Sequence, residues 1–261
     1  MEDWKMRLKD LPVTEVRAFD EVGSTNEIAA QWVQQGAEDR SLVIANRQTS
    51  GRGRMGRVWQ TAADASLAFS YILKPTPREI PSCSFFSPLG ALAVCEAILP
   101  YGGKAEIKWP NDVLLNRKKV CGILSEVVWQ EDTIAAIVLG IGVNIASESI
   151  PEAQPGMFPA GSIATETGKE IDRIQFLNAL LTALNAWRLS INSSTFFDEW
   201  NRHLAFKGEK VQLKPVQGEP LSGTLVGINS FGALLLQNSA GIVQSFLAGD
   251  VHLRPAEEPI D

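Results

Sequence analysis

The sequence predicts an α/β chain whose sheet is at least partly antiparallel, followed by a small all-β barrel, and three observations carry that reading. Short apolar runs of strand length alternate with stretches of helical spacing from Ser24 to about residue 203. Asp112-Val-Leu-Leu115 and Lys119-Val-Cys-Gly-Ile-Leu124 flank the turn-forming Asn116-Arg117-Lys118, the pattern of a hairpin that continues to Trp129. Beyond Lys207 the chain breaks into short alternating runs at residues 211–213, 221–228, 233–237 and 242–246, punctuated by Gly218, Gly223, Gly232, Gly241 and Gly249. A boundary there divides the chain into residues 1–206 and 207–261. At 261 residues and 45% hydrophobic content, the chain has apolar material for one large core and a small one.

Taken in order, Ser24-Thr25-Asn26-Glu27 matches a capping box and starts a helix that ends near Gly36, with Ile28, Trp32 and Val33 turned inward. Residues 41–46 and 66–73 are apolar runs of strand length, and residues 85–99 have helical length and stop at Pro100. Residues 105–109 are extended, because Pro110 disfavours helix at the residue before it. A further strand covers residues 133–145, and Gly140 and Gly142 inside it mark a place where a ligand or a neighbouring backbone comes close. Residues 147–161, rich in proline, glycine and acid, form a surface loop before helices at about 173–190 and 195–203.

The two strands at residues 41–46 and 66–73 are joined by a local reversal of charge. The chain carries a formal net charge of -6, yet residues 51–57 read Gly-Arg-Gly-Arg-Met-Gly-Arg. Fixed cations among glycines, whose backbone N–H groups can approach closely, suit an anion grip or a folded-over lid; the plain alternative is a solvated basic turn. Gly51, Gly53 and Gly56 also satisfy a dinucleotide-loop pattern and, with Val58, a kinase glycine-rich loop. Neither context is present, since residues 58–61 do not start a helix and the kinase histidine-arginine-aspartate and aspartate-phenylalanine-glycine strings are absent. There is no Walker A motif. The pI near 5.1 argues against a general nucleic-acid binder. Cys83, Cys95 and Cys121 have neither metal-ligand nor redox spacing and read as reduced thiols of a cytoplasmic protein. The first ten residues are charged, and no uninterrupted apolar run reaches the roughly 18–20 residues of a membrane span, so no signal peptide or anchor is expected.

A second constellation is Lys108-Trp-Pro-Asn-Asp112, followed by Lys119 on the returning strand. Lys119 is either one exposed cation of a hairpin or, by strand alternation, a cation on the face of Cys121 and Ile123 that needs an anionic partner. Asn111 and Asp112 after a proline also serve as turn formers, and Trp59 and Trp109 as core residues.

In combination, Ser24-Thr-Asn26, Gln48-Thr-Ser-Gly-Arg-Gly-Arg-Met-Gly-Arg57-Val-Trp59, Lys108-Trp-Pro-Asn-Asp112, Lys119-Val-Cys-Gly-Ile-Leu-Ser-Glu126 and Gly140-Ile-Gly-Val-Asn144 closely resemble the ordered motifs of biotin protein ligases. The resemblance covers most of the chain, including residues 232–236. It implies a mixed, largely antiparallel central sheet with flanking helices and a C-terminal SH3-like barrel. It also implies formation of biotinyl-5′-AMP from biotin and ATP, with Mg2+, and transfer of biotin to a lysine of a biotin carboxyl carrier protein of acetyl-CoA carboxylase. No winged helix-turn-helix precedes the motifs, so the likeness is to monofunctional members without DNA binding; Met55 stands where some relatives carry arginine. By this resemblance Lys119, Arg52, Arg54 and Asp112 are catalytic, with Asp112 either orienting Lys119 or helping to deprotonate the acceptor lysine. Biotin falls to Ser24, Thr25, Asn26, Gln48, Gly51, Arg52, Gly53, Arg54, Lys119 and Gly122, and ATP to Arg52, Arg54, Trp59, Asn111, Lys119 and Asn144, with no dedicated metal ligands. An exposed strand edge could dimerise or dock the carrier. Two rivals are a lipoate or octanoate ligase or transferase with a long, featureless acyl pocket, and a nonenzymatic binding module in which the arginine loop and C-terminal barrel grip RNA or another anionic partner.

Overall fold

The computed structural model describes residues 4–154, 157–215, 219–247 and 251–255. Gly218 and Gly249, expected to punctuate the C-terminal strands, lie outside the described residues.

The strands β1 (Val16–Val22), β2 (Ser41–Gln48), β3 (Ser66–Leu73), β4 (Ala105–Lys108), β5 (Asp112–Leu115), β6 (Lys118–Gln130) and β7 (Thr133–Asn144) form a seven-stranded sheet in the order β1-β2-β3-β7-β6-β5-β4. Only β1 and β2 pair in parallel, joined across helix α1 (Thr25–Gln34); the remaining neighbours are antiparallel. The sheet is therefore mixed and largely antiparallel, as the resemblance implied. β1 was not read from the sequence, because every residue of it is only half-buried or exposed and gives no clean alternation.

The two faces of the sheet differ in side-chain size. Along β3 and β7, Leu67, Phe69, Tyr71 and Leu73 together with Ile137, Leu139, Ile141 and Val143 pack into the main core with α2 (Phe86–Ile98), α4 (Arg173–Arg188) and α5 (Ser194–His203). On the other face α1 covers only one end, where Ala29, Trp32 and Val33 meet Val43, Ile72, Ala136 and Val138. Ile28 is only partly buried there.

Two local expectations need correction, and one element is new. Ser24 is the N-cap of α1 but makes no side-chain capping bond, so the expected capping box is not formed; Glu27 lies instead toward Arg52. The helix expected to stop at Pro100 passes through it as a short 3-10 turn, Leu99–Tyr101, where proline occupies a first-turn position that needs no N–H partner. A real capping box sits at Ser162 and Thr165, opening the short α3 (Ile163–Thr167), which the sequence reading passed over because threonine replaces the usual Glu or Gln. Among the described residues, the helical stretch Ile80–Tyr101 has the length and composition of a membrane span, but 72% of its most apolar window is buried inside the protein.

The hairpin at Asn116 forms as expected, with Asn116 and Arg117 at φ 48 and 63, the positive-φ pair of a tight two-residue turn. Beyond residue 207, β8 (Lys210–Pro215), β9 (Leu221–Ile228), β10 (Leu234–Gln237), β11 (Val243–Phe246) and β12 (Val251–Pro255) make a second, five-stranded antiparallel sheet ordered β11-β10-β9-β8-β12. Its Val211, Leu225 and Leu234 join the main apolar cluster. Asn201 of α5 exchanges two hydrogen bonds with the backbone of Ile228, and Trp109 Nε1 donates to Gly232 O at 3.1 Å. Trp109 is thus a core residue that ties the Lys108–Asp112 motif to the second sheet.

Candidate active site

On the face that α1 leaves uncovered, the sheet has a floor of small residues. Ser70, Gly140 and Leu124 form one rung across β3, β7 and β6; Ala68, Gly142, Gly122 and Asp112 form the next, continuing into β5. Successive rungs on one face are about 7 Å apart. The resulting cleft has a volume near 610 Å3, within the usual range for small-molecule sites. Gly140 and Gly142 were expected to admit a ligand or backbone; in the structure they admit side chains. A Cβ at Gly140 would overlap the Asn26 carboxamide, and one at Gly142 the Trp59 indole.

The rung at Gly140 carries the polar end of the cleft. Thr25 donates through its backbone N–H and its hydroxyl to Gln48 Oε1 at 2.7 and 3.0 Å, and Ser70 Oγ lies 2.8 Å from Thr25 Oγ1 and 2.6 Å from Asn26 Oδ1. Gln48 is set by Thr61, whose hydroxyl takes the Gln48 N–H at 2.7 Å. Ser24, Thr25 and Asn26 are buried. Ser70, Thr61 and Glu126 were not anticipated; the available signal for Ser70 was a small hydroxyl residue set between Phe69 and Tyr71 in a fully buried strand.

One pleat further on lies the cationic end. Asp112 is 7% exposed and stands between two ammonium groups, Lys119 Nζ at 2.6 Å from Oδ1 and Lys108 Nζ at 3.3 Å from Oδ2. Burial raises its carboxyl pKa, but Lys119 and Lys108 outweigh that and hold it down at about 2. The expected placement of Lys119 beside Cys121 and Ile123 is overturned by a β-bulge. Leu114 pairs with Lys119 and Val113 with Cys121, so Val120 is the extra residue and the alternation inverts across it. Cys121 and Ile123 point into the main core, and Lys119 shares the cleft face with Gly122. Asn111 is more than a turn former: its Nδ2 donates to Ile123 O at 2.6 Å, and its Oδ1 lies 3.5 Å from Arg54 Nη1.

The arginine loop is a small β-hairpin. Arg52 bridges Val58, Gly53 N donates to Arg57 O at 2.7 Å, and Met55 and Gly56 at φ 57 and 72 make its tip. Gly51 does not line the main cleft. A side chain there would collide with the Trp59 carbonyl, and Trp59 N donates to Gly51 O at 2.9 Å. Gly53, Arg52 and Arg54 do line the cleft. Burial lowers the Arg54 pKa, Asp112 opposes that and Arg57 adds to it; a guanidinium keeps its charge throughout. Trp59 is a cleft wall rather than a core residue. Its ring lies on the glycine floor, Lys119 Nζ is 5.5 Å from the ring centroid, and its buried Nε1 makes no hydrogen bond.

The segment read as a surface loop closes one side of the cleft. Lys119 N donates to Pro159 O at 2.7 Å and Gly161 N to Lys119 O at 3.0 Å, while Asn144 Nδ2 donates to Gly161 O at 2.9 Å. Gln154, Met157 and Phe158 face the cavity. Among the described residues, no group of three or more His, Cys, Asp or Glu is placed to hold a metal ion.

A cleft with a hydrogen-bonding end, a small-residue floor and a cationic end has the shape and chemistry of a site for an elongated small ligand with a polar head and an anionic tail. Residues 18–144 match the biotin/lipoate A/B protein ligase family, residues 208–254 match the biotin protein ligase C-terminal domain, and the chain belongs to the biotin protein ligases. It is 35% identical to the biotin–[acetyl-CoA-carboxylase] ligase of Paracoccus denitrificans, over 79% of this chain and 88% of that one. It is 31% identical to the bifunctional ligase/repressor BirA of Bacillus subtilis, over 90% of this chain and 72% of that one. The solved biotin protein ligase of Aquifex aeolicus in complex with biotin and ATP superposes with a TM-score of 0.78 at 28% identity, covering 93% of this chain and 100% of that one.

Proposed function

We propose that this cleft joins biotin to ATP, forming biotinyl-5′-AMP and pyrophosphate, and then passes the biotinyl group to a lysine of a biotin carboxyl carrier protein. The observation that carries the reading is the order of groups along the cleft: the Thr25, Asn26, Gln48 and Ser70 cluster, then Gly140 and Gly142, then Lys119 beside Asp112. Biotin has the same order, with a ureido head rich in hydrogen-bonding atoms, an apolar body and a carboxylate. A lipoyl or octanoyl chain offers no such head to the polar cluster, so those buried groups would lose partners.

In the first step a biotin carboxylate oxygen attacks the α-phosphorus, the new P–O bond forms and the bond to pyrophosphate breaks. Two anions must meet, and Lys119 lies where the carboxylate would end, so its ammonium offsets the repulsion at the reacting atoms. Asp112 fixes that ammonium. With its pKa near 2 it is a weak base, so of its two expected roles we assign orientation of Lys119 rather than deprotonation of the acceptor lysine. Arg52 and Arg54 cover the phosphates from the hairpin; Asn111 supports Arg54, and Trp59 and Asn144 wall the nucleotide end. Shielding by the hairpin keeps water from the mixed anhydride. In the second step the acceptor amine attacks the acyl carbonyl and AMP leaves. Among the described residues no cluster of carboxylates is placed to cage a metal, so Mg2+, when bound, would be held chiefly by the nucleotide and would supply charge neutralisation at the phosphates. We also propose a functional division near Lys207 and a cytoplasmic setting with no DNA or membrane partner.

The test is biotin-dependent ATP–pyrophosphate exchange by the purified protein, with lipoate as competitor. Exchange that requires biotin and ignores lipoate is expected; exchange driven by lipoate, or none beside a competent control, overturns the proposal.

A further inference from the structure

Glu126, on β6, pairs with Val138, one rung beyond Gly140 on the side away from Asp112, and so stands at the edge of the polar end of the cleft, where it meets the arginine hairpin. A single carboxylate oxygen, Oε2, takes two donors: Asn26 Nδ2 at 2.6 Å and Arg52 Nη2 at 3.0 Å. Asn26 belongs to the polar end, and Arg52 to the arginine hairpin. Glu27 adds a second carboxylate, 3.8 Å from Arg52 Nε.

The consequences for the two donors differ. Asn26 Nδ2 also faces Leu124 O at 3.4 Å, while its Oδ1 meets Ser70 Oγ at 2.6 Å. Turning the carboxamide over would set its oxygen against a carboxylate and a backbone carbonyl, two acceptors, so Glu126 fixes which atom Asn26 directs toward Ser70 and the floor. Arg52 is held far more loosely. The Arg52 and Glu126 side chains are 44% and 36% exposed, and an ion pair so open to water is weak and screened by salt. An anion entering the cleft can take the guanidinium from it.

We infer that Glu126 is a positioning residue that couples the polar end of the cleft to the arginine hairpin. It holds the Asn26 carbonyl toward the ligand head, and it clasps Arg52 until the carboxylate or phosphate of the ligand replaces it. This rests on the proposed use of the cleft for biotin activation. Release of Arg52 leaves Oε2 to Asn26 alone, so closing the hairpin over the anionic end tightens the grip at the head.

The test compares Glu126→Gln and Glu126→Ala in the full chain by biotin titration calorimetry and by trypsin cleavage at the hairpin arginines without ligand. Glutamine keeps an acceptor for Asn26 but not the charge; alanine keeps neither. Biotin affinity is expected to stay within about threefold in Glu126→Gln and to fall about tenfold or more in Glu126→Ala, the equivalent of one lost hydrogen bond. Ligand-free cleavage should quicken in both, and added salt should quicken it in the wild type alone. Equal loss of biotin affinity in the two variants overturns the orienting role, and unchanged cleavage overturns the clasp. Thermal midpoints equal to wild type show that both variants are folded. A wild-type protein that binds no biotin would defeat the proposed function itself, while the cleavage comparison still decides the clasp.

Discussion

The cations that face the cleft are held in two opposite ways. Lys108 and Lys119 share one buried carboxylate, their backbone sits in paired strands, and the segment at residues 159–161 is zipped onto Lys119 by two backbone hydrogen bonds. Arg52 and Arg54 ride on a hairpin whose tip is a two-residue turn, and the carboxylates that hold Arg52, Glu126 and Glu27, are 36% and 53% exposed. The first arrangement fixes charge before any ligand arrives, which is what stabilising a developing bond requires. The second is made of exchangeable contacts, which suits a part that must let the ligand in and then cover it.

Removing the centre of the fixed group should have the largest effect. Asp112→Ala leaves two ammonium groups facing each other with little solvent, and the expected loss of stability is about 3–5 kcal/mol, measured by chemical denaturation. A loss under about 1 kcal/mol would show that the group is not the rigid element assumed. Acid sharpens the same point. The folded pKa of Asp112 lies below its ordinary value of 3.8, at about 2, so its contribution to stability is full above the ordinary value and drains away as pH falls toward the lowered one. Thermal midpoints measured from pH 5 down should therefore fall less steeply in Asp112→Asn than in the wild type.

The floor between the two groups ranks next. Gly142→Ala forces the Trp59 ring off the sheet, with an expected cost of about 1–3 kcal/mol and a shift in tryptophan fluorescence; neither change would mean that the ring is free to move aside. The smallest effect belongs to the hairpin. Met55 holds φ 57 at the tip, so Met55→Gly should leave global stability within about 0.5 kcal/mol while slowing ligand-free proteolysis little or not at all.

Much of this was legible in the sequence because it depends on local chemistry. The glycine-arginine alternation at residues 51–57 and the Asn116-Arg117 turn each state their own backbone needs. What stayed hidden depends on distant parts of the chain. The bulge at Val120, which moves Lys119 to the other face, exists only in the pairing with β5. The closure of residues 159–161 over Lys119 uses backbone groups that any residue carries. Ser70 and Glu126 gain meaning only once β3 and β6 lie beside β7 and α1 crosses above them. β1 was missed because it is a half-covered edge strand.

The division of labour between fixed and exchangeable cations is tested most directly by single-turnover formation and release of biotinyl-5′-AMP in Lys119→Ala and Arg54→Gly, measured side by side. The expected result is formation slowed by about 10²–10³ in Lys119→Ala. In Arg54→Gly formation should change far less, with the intermediate escaping faster and biotinylating non-cognate proteins. Near-normal formation in Lys119→Ala, or labelling still confined to the carrier in Arg54→Gly, would contradict the assignment.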